Sequence, residues 1–358
     1  MSQQIELKLG LQEDNHVHPK RFTLPAVIEA ESRGKPRSAP TFVKARAAIL
    51  PKNIPAEDAF RLTLLQCQWH IAANIPAVVE SREIEGLHQM RVGFRRLRVA
   101  LTSFGSDFRN SALEALRARA QKLAEKLAPA RDLDVFITEL LEPAARANGA
   151  VESFDLLRAR AGEARRTAWD FAAAHVLSPA FAQFMSDFGD AINRRAWLSH
   201  SGRIRKNQAA FEAPASELAD RVLGKRLKSS LKRGKHFNKL SDEDRHLLRI
   251  SLKKLRYTAE FFAPFYDSDE VVEFTLRLSD MQDILGAVND VVVARETLAK
   301  LTHMSDDMAE RPSADMSFAA GIVYGWHLDR AAHIVKKGGK RWKAFARSKP
   351  FWHQETKH

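Results

Sequence analysis

Cysteine is almost absent from this chain of 358 residues, since Cys67 stands alone. A single cysteine excludes an internal disulfide, a cysteine-based zinc site and a dithiol redox motif. Glycine (16) and proline (14) are also scarce, while alanine, leucine, arginine and glutamate abound, which disfavours a sandwich or barrel and predicts a helical protein. No apolar run approaches ~20 residues, and Met1–Lys8 has no secretory character, so we expect a cytoplasmic protein without a membrane partner.

Basic residues are in excess, and they are concentrated in a few segments. The formal net charge is +13. Residues 88–98 contribute four arginines without an acid, and residues 223–256 contribute twelve lysines or arginines against three acids. Residues 336–358 hold eight basic residues against Glu355, and the segment 336–343 is interpreted as a flexible basic tail. Local basic clusters on an otherwise acidic chain indicate a polyanionic partner.

From Pro55 onward, apolar residues recur at helical spacing. Leu62, Leu65, Trp69 and Ala73 would form the packed stripe of the first helix. The segment 198–213 is polar and basic and would link two halves. Helices are predicted at about 55–74, 84–104, 110–127, 132–147, 152–175, 179–198, 215–236, 242–263, 269–286, 290–303 and 314–336.

One segment recurs later in the chain. The run Leu87–Arg98, closing at Phe104, returns at Arg245–Arg256, closing at Phe262, with each position shifted by 158 residues. The same shift relates Arg131-Asp132 to Asn289-Asp290. The chain therefore reads as two related helical halves.

Three sets of basic residues share the spacing 0, 3, 7, 10, which on a helix covers an arc of ~80° and a length of ~15 Å. Such a row suits a chain of anions better than one small anion. The first basic row comprises His88, Arg91, Arg95 and Arg98. The second basic row comprises His246, Arg249, Lys253 and Arg256. A lysine row comprises Lys225, Lys228, Lys232 and Lys235.

Guanidinium presents a planar fork to two phosphate oxygens, and lysine adds a mobile charge. The histidines could contact phosphate or serve a structural role. Arg96 and Lys254 flank the first two rows. The residues predicted to bind a phosphate-bearing polyanion are His88, Arg91, Arg95, Arg96, Arg98, Lys225, Lys228, Lys232, Lys235, His246, Arg249, Lys253, Lys254 and Arg256.

The doubled segment, Leu87–Phe104 and Arg245–Phe262, closely resembles the paired signature of the CHAD domain, the conserved histidine α-helical domain, and 130–135 resembles its following segment. The resemblance implies an all-α fold of two antiparallel four-helix bundles related by a pseudo-twofold axis. It also implies a noncatalytic module that binds inorganic polyphosphate on a surface shared by both halves, associated with polyphosphate granules and their proteins. Two departures are Arg245, where the first half has Leu87, and Asn289 in place of Arg131.

The resemblance divides the chain into an irregular arm (1–51), a CHAD domain (52–340, with halves 52–198 and 214–340) and a basic tail (341–358). Gln4–Lys8 resembles the start of a CYTH triphosphate-tunnel domain, although Gln4 breaks its motif and about fifty residues cannot form the tunnel. The segment is interpreted as a vestige or as a chance alternation.

Two other functions stay open. A nucleic-acid-binding helical protein would share the charge, but the rows have almost no aromatic residue for base stacking beyond Tyr257, so nucleic acid is expected only as a nonspecific competitor. A polyphosphate hydrolase or kinase rests only on Asp132 and Asp134, which are more typical of ion pairs. No nucleotide, dinucleotide, serine-hydrolase or zinc-protease motif is present, so no catalytic residue, metal ligand or cofactor is predicted.

Overall fold

Helices form nearly all of the first half of the protein. The structure, a computed structural model, describes residues 41–104, 108–149, 153–198, 208–302 and 314–352. The first-half helices are α1 (Ala56–Ala73), α2 (Ile75–Val79), α3 (Ile84–Ser103), α4 (Ser111–Lys126), α5 (Ala128–Val135), α6 (Glu142–Ala147), α7 (Ser153–Val176) and α8 (Pro179–Asn193). A π-helical turn, Phe136–Leu141, joins α5 to α6. Side chains of Asn110 and Ser178 cap α4 and α8, as their sequence positions favour.

The second half repeats this plan with fewer and longer helices. They are α9 (Ala215–Arg233), α10 (Asp242–Phe262), α11 (Ser268–Thr302) and α12 (Ala314–Ala346). No strand occurs in the described ranges, where the one β feature is an isolated bridge between Pro55 and Pro214. The predicted all-α class of paired helical bundles is confirmed. None of the described helices combines the length and apolarity that a membrane span requires.

One predicted helix break is absent from the second half. Residues 269–286 and 290–303 belong to the single helix α11. In the first half Pro129, at the start of α5, cannot donate the backbone hydrogen bond that would continue α4. The repeat places Ala287 at that position, so the helix continues. Ser178-Pro179 likewise separates α7 from α8, whereas the equivalent stretch of α12 is unbroken.

The interpretation of residues 336–343 as a flexible tail is wrong, because α12 runs to Ala346 and buries Trp342. Gly338 and Gly339 mark close packing rather than flexibility. A Cβ at Gly338 would lie 2.8 Å from the ring of Phe237, and one at Gly339 would lie 2.2 Å from Asn238 Oδ1. The predicted basic tail therefore starts inside a packed helix.

The first helix buries a different face from the predicted one. Leu62, Leu65 and Trp69 are only half-buried, while Phe60 and Leu64 lie in the core of α1. Residues 41–50, predicted as part of the arm, pack on the helices; the Asn74 side chain accepts from Val43 N (3.0 Å) and donates to Val43 O (2.9 Å).

The described residues all belong to a compact unit, 37–358. Gln4–Lys8 lies outside the described residues, and so does 199–207 of the predicted linker; residues 208–212 are helical. The family-derived boundaries at 52, 198, 214 and 340 remain predictions.

Candidate polyanion-binding groove

The two repeated helices, α3 and α10, meet at the boundary between the halves. Phe104 and Phe262 occupy equivalent positions, and their ring centroids are 5.2 Å apart. One residue before Phe104, Ser103 Oγ lies 3.0 Å from Thr258 Oγ1 of the other half. A residue that packs against its own repeat equivalent marks the pseudo-twofold axis. The axis therefore brings the first and second basic rows to one side-by-side helix pair.

A cleft opens along this helix pair, with a volume of about 330 Å³. We call it the central cleft. None of the residues that line it is acidic, and most of the polar ones are basic. It is lined by Arg95, Arg98, Val99 and Thr102 of α3, Arg117 of α4, and His246, Arg249, Ile250, Lys253, Lys254 and Tyr257 of α10. Six of the predicted ligands thus come together from both halves: Arg95, Arg98, His246, Arg249, Lys253 and Lys254.

Lys253 is the repeat equivalent of Arg95, and the two cations share the middle of the cleft. Arg95 Nη1 donates to the hydroxyl of the buried Tyr257 at 3.2 Å. Burial lowers the pKa of Lys253 to about 7, assisted by the charges of Arg249, Arg95 and Arg256 and opposed by Asp290. At neutral pH the Lys253 ammonium is therefore only about half protonated, and any added negative charge would favour its protonated form.

Each basic row has a carboxylate behind one of its arginines. Burial lowers the pKa of Arg91, and the negative charge of Asp132 raises it. Burial and Asp290 act on the pKa of Arg249 in the same way. Burial raises the pKa of both carboxyls. Because 91 and 249 are related by the repeat, as are 132 and 290, the two Arg–Asp pairs are pseudo-symmetric. Asp132 and Asp290 thus interact electrostatically with equivalent guanidinium groups, and neither lines the cleft.

The two repeated histidines differ. Burial lowers the pKa of His88 to about 4, with Arg131 as the next cause and Glu85 opposing, so this imidazole is neutral at pH 7. It can donate one hydrogen bond but adds no charge to the first basic row. His246 is exposed and lines the central cleft. Of the pair, His246 has the geometry for direct contact with a ligand.

Arg96 and Arg256 are turned away from the central cleft. Arg96 is 6% exposed, donates to Glu260 and lies over the Phe261 ring, 4.9 Å from its centroid. Arg256 Nε lies 3.4 Å from Glu260 Oε1. Both arginines share the single carboxylate of Glu260. The Arg96 pair joins α3 to α10 and so links the two halves, whereas the Arg256 pair lies within α10.

The lysine row is not continuous. Helix α9 ends at Arg233, and His236 adopts a left-handed conformation (φ 64°), so Lys235 lies beyond the helix. Arg226 and Ser230 form the face of α9 that meets α3 and α10. At ~100° per residue, the row's other lysines are rotated by about 100–160° from Arg226. Lys225, Lys228 and Lys232 are exposed to solvent and are not among the residues that line the cleft.

The combination of a doubled helix and a shared basic cleft agrees with the sequence comparison. A family model described as the CHAD domain matches residues 63–299, about two thirds of the chain. The chain belongs to the CHAD domain family.

Among the solved structures that resemble this CHAD protein, two illustrate the likeness. The crystal structure of the CHAD domain from the plant Ricinus communis is 28% identical, with a TM-score of 0.70, covering 85% of this chain and 97% of that one. PptA from Streptomyces chartreusis is 17% identical, with a TM-score of 0.56, covering 82% of this chain and 100% of that one, and shows likeness of fold alone. No curated protein sequence matches this chain.

Sequence reasoning missed several cations of the CHAD groove. Arg117 lines the central cleft and pairs with Glu114 at 2.7 Å. Arg131 borders His88 and lies 3.4 Å from Glu139. Arg226 donates to Ser103 Oγ at 2.9 Å. Arg117 and Arg226 have no basic repeat equivalent, so the duplication gave no signal for them. Arg226 and Arg233 are seven residues apart and so share a face of α9, a spacing that could have indicated the pair.

Asp134 is fully buried and accepts from Arg165 Nε (2.6 Å) and Trp169 Nε1 (3.0 Å). These two hydrogen bonds hold α5 to α7. In the described part of the chain, no group of three or more histidine, cysteine, aspartate or glutamate residues is placed to hold a metal ion.

Proposed function

We propose that this CHAD protein is a noncatalytic module that binds inorganic polyphosphate in the central cleft. The observation that carries the proposal is the convergence of cationic helix faces from both halves on a cleft with no acidic residue in its lining. In addition, Nε of Arg98 and Nε of Arg249 are buried without an acceptor among the described residues. Buried donors of this kind are normally satisfied, so they favour an external anion.

The energetics favour a polyanion over a single anion. Crowding of like charges opposes folding and contributes to the lowered pKa of Lys253. A ligand with several linked negative charges relieves this repulsion at many points for a single loss of translational freedom. Each charge-assisted hydrogen bond contributes about 1.5–3 kcal/mol before desolvation is subtracted. Bound polyphosphate should therefore also stabilise the fold.

The lining favours polyphosphate over nucleic acid. Tyr257 is the aromatic residue of the cleft, but it is 1% exposed and its hydroxyl is bound to Arg95. A buried ring cannot offer the stacking surface that single-stranded nucleic acids use. Phosphate oxygens would meet the same guanidinium groups in either ligand, so RNA and DNA of equal charge should bind more weakly than polyphosphate.

We infer that the module binds polyphosphate without hydrolysing or transferring it, and that in the cytoplasm it locates to polyphosphate granules and their proteins. Asp132 and Asp290, whose carboxyls interact electrostatically with Arg91 and Arg249, do not line the central cleft. Incubation with polyphosphate and Mg²⁺ should release no orthophosphate. Sustained release by purified protein would contradict the noncatalytic assignment.

The test is calorimetric titration with long-chain polyphosphate. Arg95→Gln with Arg249→Gln removes one cleft cation from each half and should lower the affinity at least about tenfold, the equivalent of one charge-assisted contact. The control pair, Lys228→Gln with Lys232→Gln, also removes two positive charges but outside the cleft, and it should change the affinity much less. Equal losses in the two pairs would contradict the site, and displacement of polyphosphate by charge-matched RNA or DNA would contradict its specificity. In cells, the first pair should abolish granule localisation while the control pair keeps it.

A further inference from the structure

A second cluster of cations lies where α3, α4, α9 and α10 meet, beside the central cleft. Its centre is Lys254, whose pKa is lowered by burial first and then by the charges of Arg226, Arg98, Arg233 and Arg117. Four guanidinium groups from three helices thus act on one ammonium group. The four side-chain charges that act most strongly on Lys254 are all positive. Two of these arginines, Arg226 and Arg233, belong to α9 and do not line the central cleft.

Arg226 is held in place by hydroxyl groups rather than by an acid. It donates to Ser103 Oγ at 2.9 Å and to Thr102 Oγ1 at 3.4 Å, and its Nε is buried without an acceptor among the described residues. Burial lowers its pKa to about 10. A buried guanidinium without a counter-ion is costly, because neutral hydroxyls compensate only part of its lost hydration. The arrangement is preorganised for an anion that the protein itself does not supply.

The other four cations of this cluster differ in whether they are free to bind an anion. Arg117, which is paired with Glu114, and Arg98, which donates to Gln121 at 3.0 Å, line the central cleft and belong to that site. Arg233 and Lys254 are exposed, and neither has an ion pair within the described residues. Arg226, Arg233 and Lys254 are therefore the groups positioned to meet an incoming phosphate.

We propose that Arg226, Arg233 and Lys254 form a second anion subsite, which takes phosphate units of a polyphosphate chain that extends beyond the central cleft. The inference rests on the proposed function. Lys254 belongs to both sites and makes them continuous. A short polyphosphate fills the central cleft alone, whereas a long one occupies both sites and gains affinity from the second. The subsite thus gives the module a preference for long chains.

The test compares short and long polyphosphates on matched variants of α9. Arg226→Gln with Arg233→Gln removes two charges from the subsite; Lys228→Gln with Lys232→Gln removes two from the opposite face of the same helix. We expect the first pair to lower the affinity for long chains at least about tenfold relative to the second, with little change for short chains. Equal losses in both pairs, or equal losses for short and long chains, would overturn the subsite.

Arg226 is hydrogen-bonded across the two halves, so its replacement could perturb the fold. Arg233→Gln alone, at an exposed side chain, should give a smaller loss in the same direction with an unchanged melting temperature. A long-to-short affinity ratio equal to that of the wild type in this variant would refute the inference. If the wild type binds no polyphosphate of any length, the proposed function fails and the subsite falls with it; if it binds and only the variant effects are missing, the subsite alone is wrong.

Discussion

Binding of polyphosphate should be coupled to uptake of a proton by Lys253. Burial and three neighbouring arginines lower its pKa to about 7 in the free protein, with Asp290 as the opposing charge. A phosphate chain in the cleft favours the protonated form and raises this pKa. If the bound state restores the ordinary value near 10.4, the affinity falls about tenfold from pH 6 to pH 8, or about 1.4 kcal/mol. The affinity is highest below pH 7 and is lost as the pH rises.

The measurement is a calorimetric titration between pH 6 and pH 8 in buffers that differ in ionisation enthalpy. About one proton should be taken up per complex at pH 8 and about a tenth of one at pH 6. Long chains minimise the contribution of the terminal phosphates, which titrate near pH 6. His88, with a pKa of about 4, stays neutral throughout.

Lys253→Arg is the matched control, because arginine keeps its charge across this range. It should bind as tightly as the wild type at pH 6 and lose little affinity by pH 8. Any slope that survives in this variant comes from groups other than Lys253. A wild-type affinity that does not change with pH, or a Lys253→Arg variant that retains the full slope, would refute the reasoning.

Two further predictions concern the frame around the groove. Arg96→Gln breaks the ion pair with Glu260 and should lower the free energy of unfolding by about 2 kcal/mol while leaving polyphosphate affinity nearly unchanged; reduced affinity at unchanged stability, compared by denaturant titration and calorimetry, would contradict its structural role. Gly234→Ala places a Cβ 1.9 Å from Trp342 and should lower the free energy of unfolding by about 1–3 kcal/mol through overpacking. The control Gly325→Ala, in open space on α12, should leave the free energy of unfolding unchanged or raise it slightly. Equal melting temperatures for the two variants would show that the last helix does not pack as described.

Much of the fold could be predicted from the sequence because the same helical segment occurs twice in the chain. A shift of 158 residues relates α3 to α10, and Phe104 meets Phe262 as that symmetry requires. The fusion of two predicted helices into α11 was missed. It depends on the absence of one proline, since Ala287 replaces Pro129 and lets the backbone hydrogen bonds continue. The packed end of α12 was missed because its paired glycines, which indicate flexibility in isolation, fit against Phe237 and Asn238.

The site was only partly predictable, because periodicity locates a face of a helix but not what that face meets. The first two basic rows converge since both lie on helices that the repeat places at the axis. Arg96 lies one residue from Arg95, and that rotation of about 100° turns it toward Glu260. The lysine row has the favoured spacing, yet α9 presents Arg226 rather than Lys228 to its neighbours. Which side of α9 packs is decided by tertiary contacts that a single sequence does not reveal.

The most direct test of the central claim is a crystal structure of the protein with bound polyphosphate. We expect one continuous phosphate chain in the central cleft, in contact with Arg95 of α3 and with Lys253 and Arg249 of α10. A chain bound along Lys225, Lys228 and Lys232, or one that contacts a single half of the molecule, would contradict it.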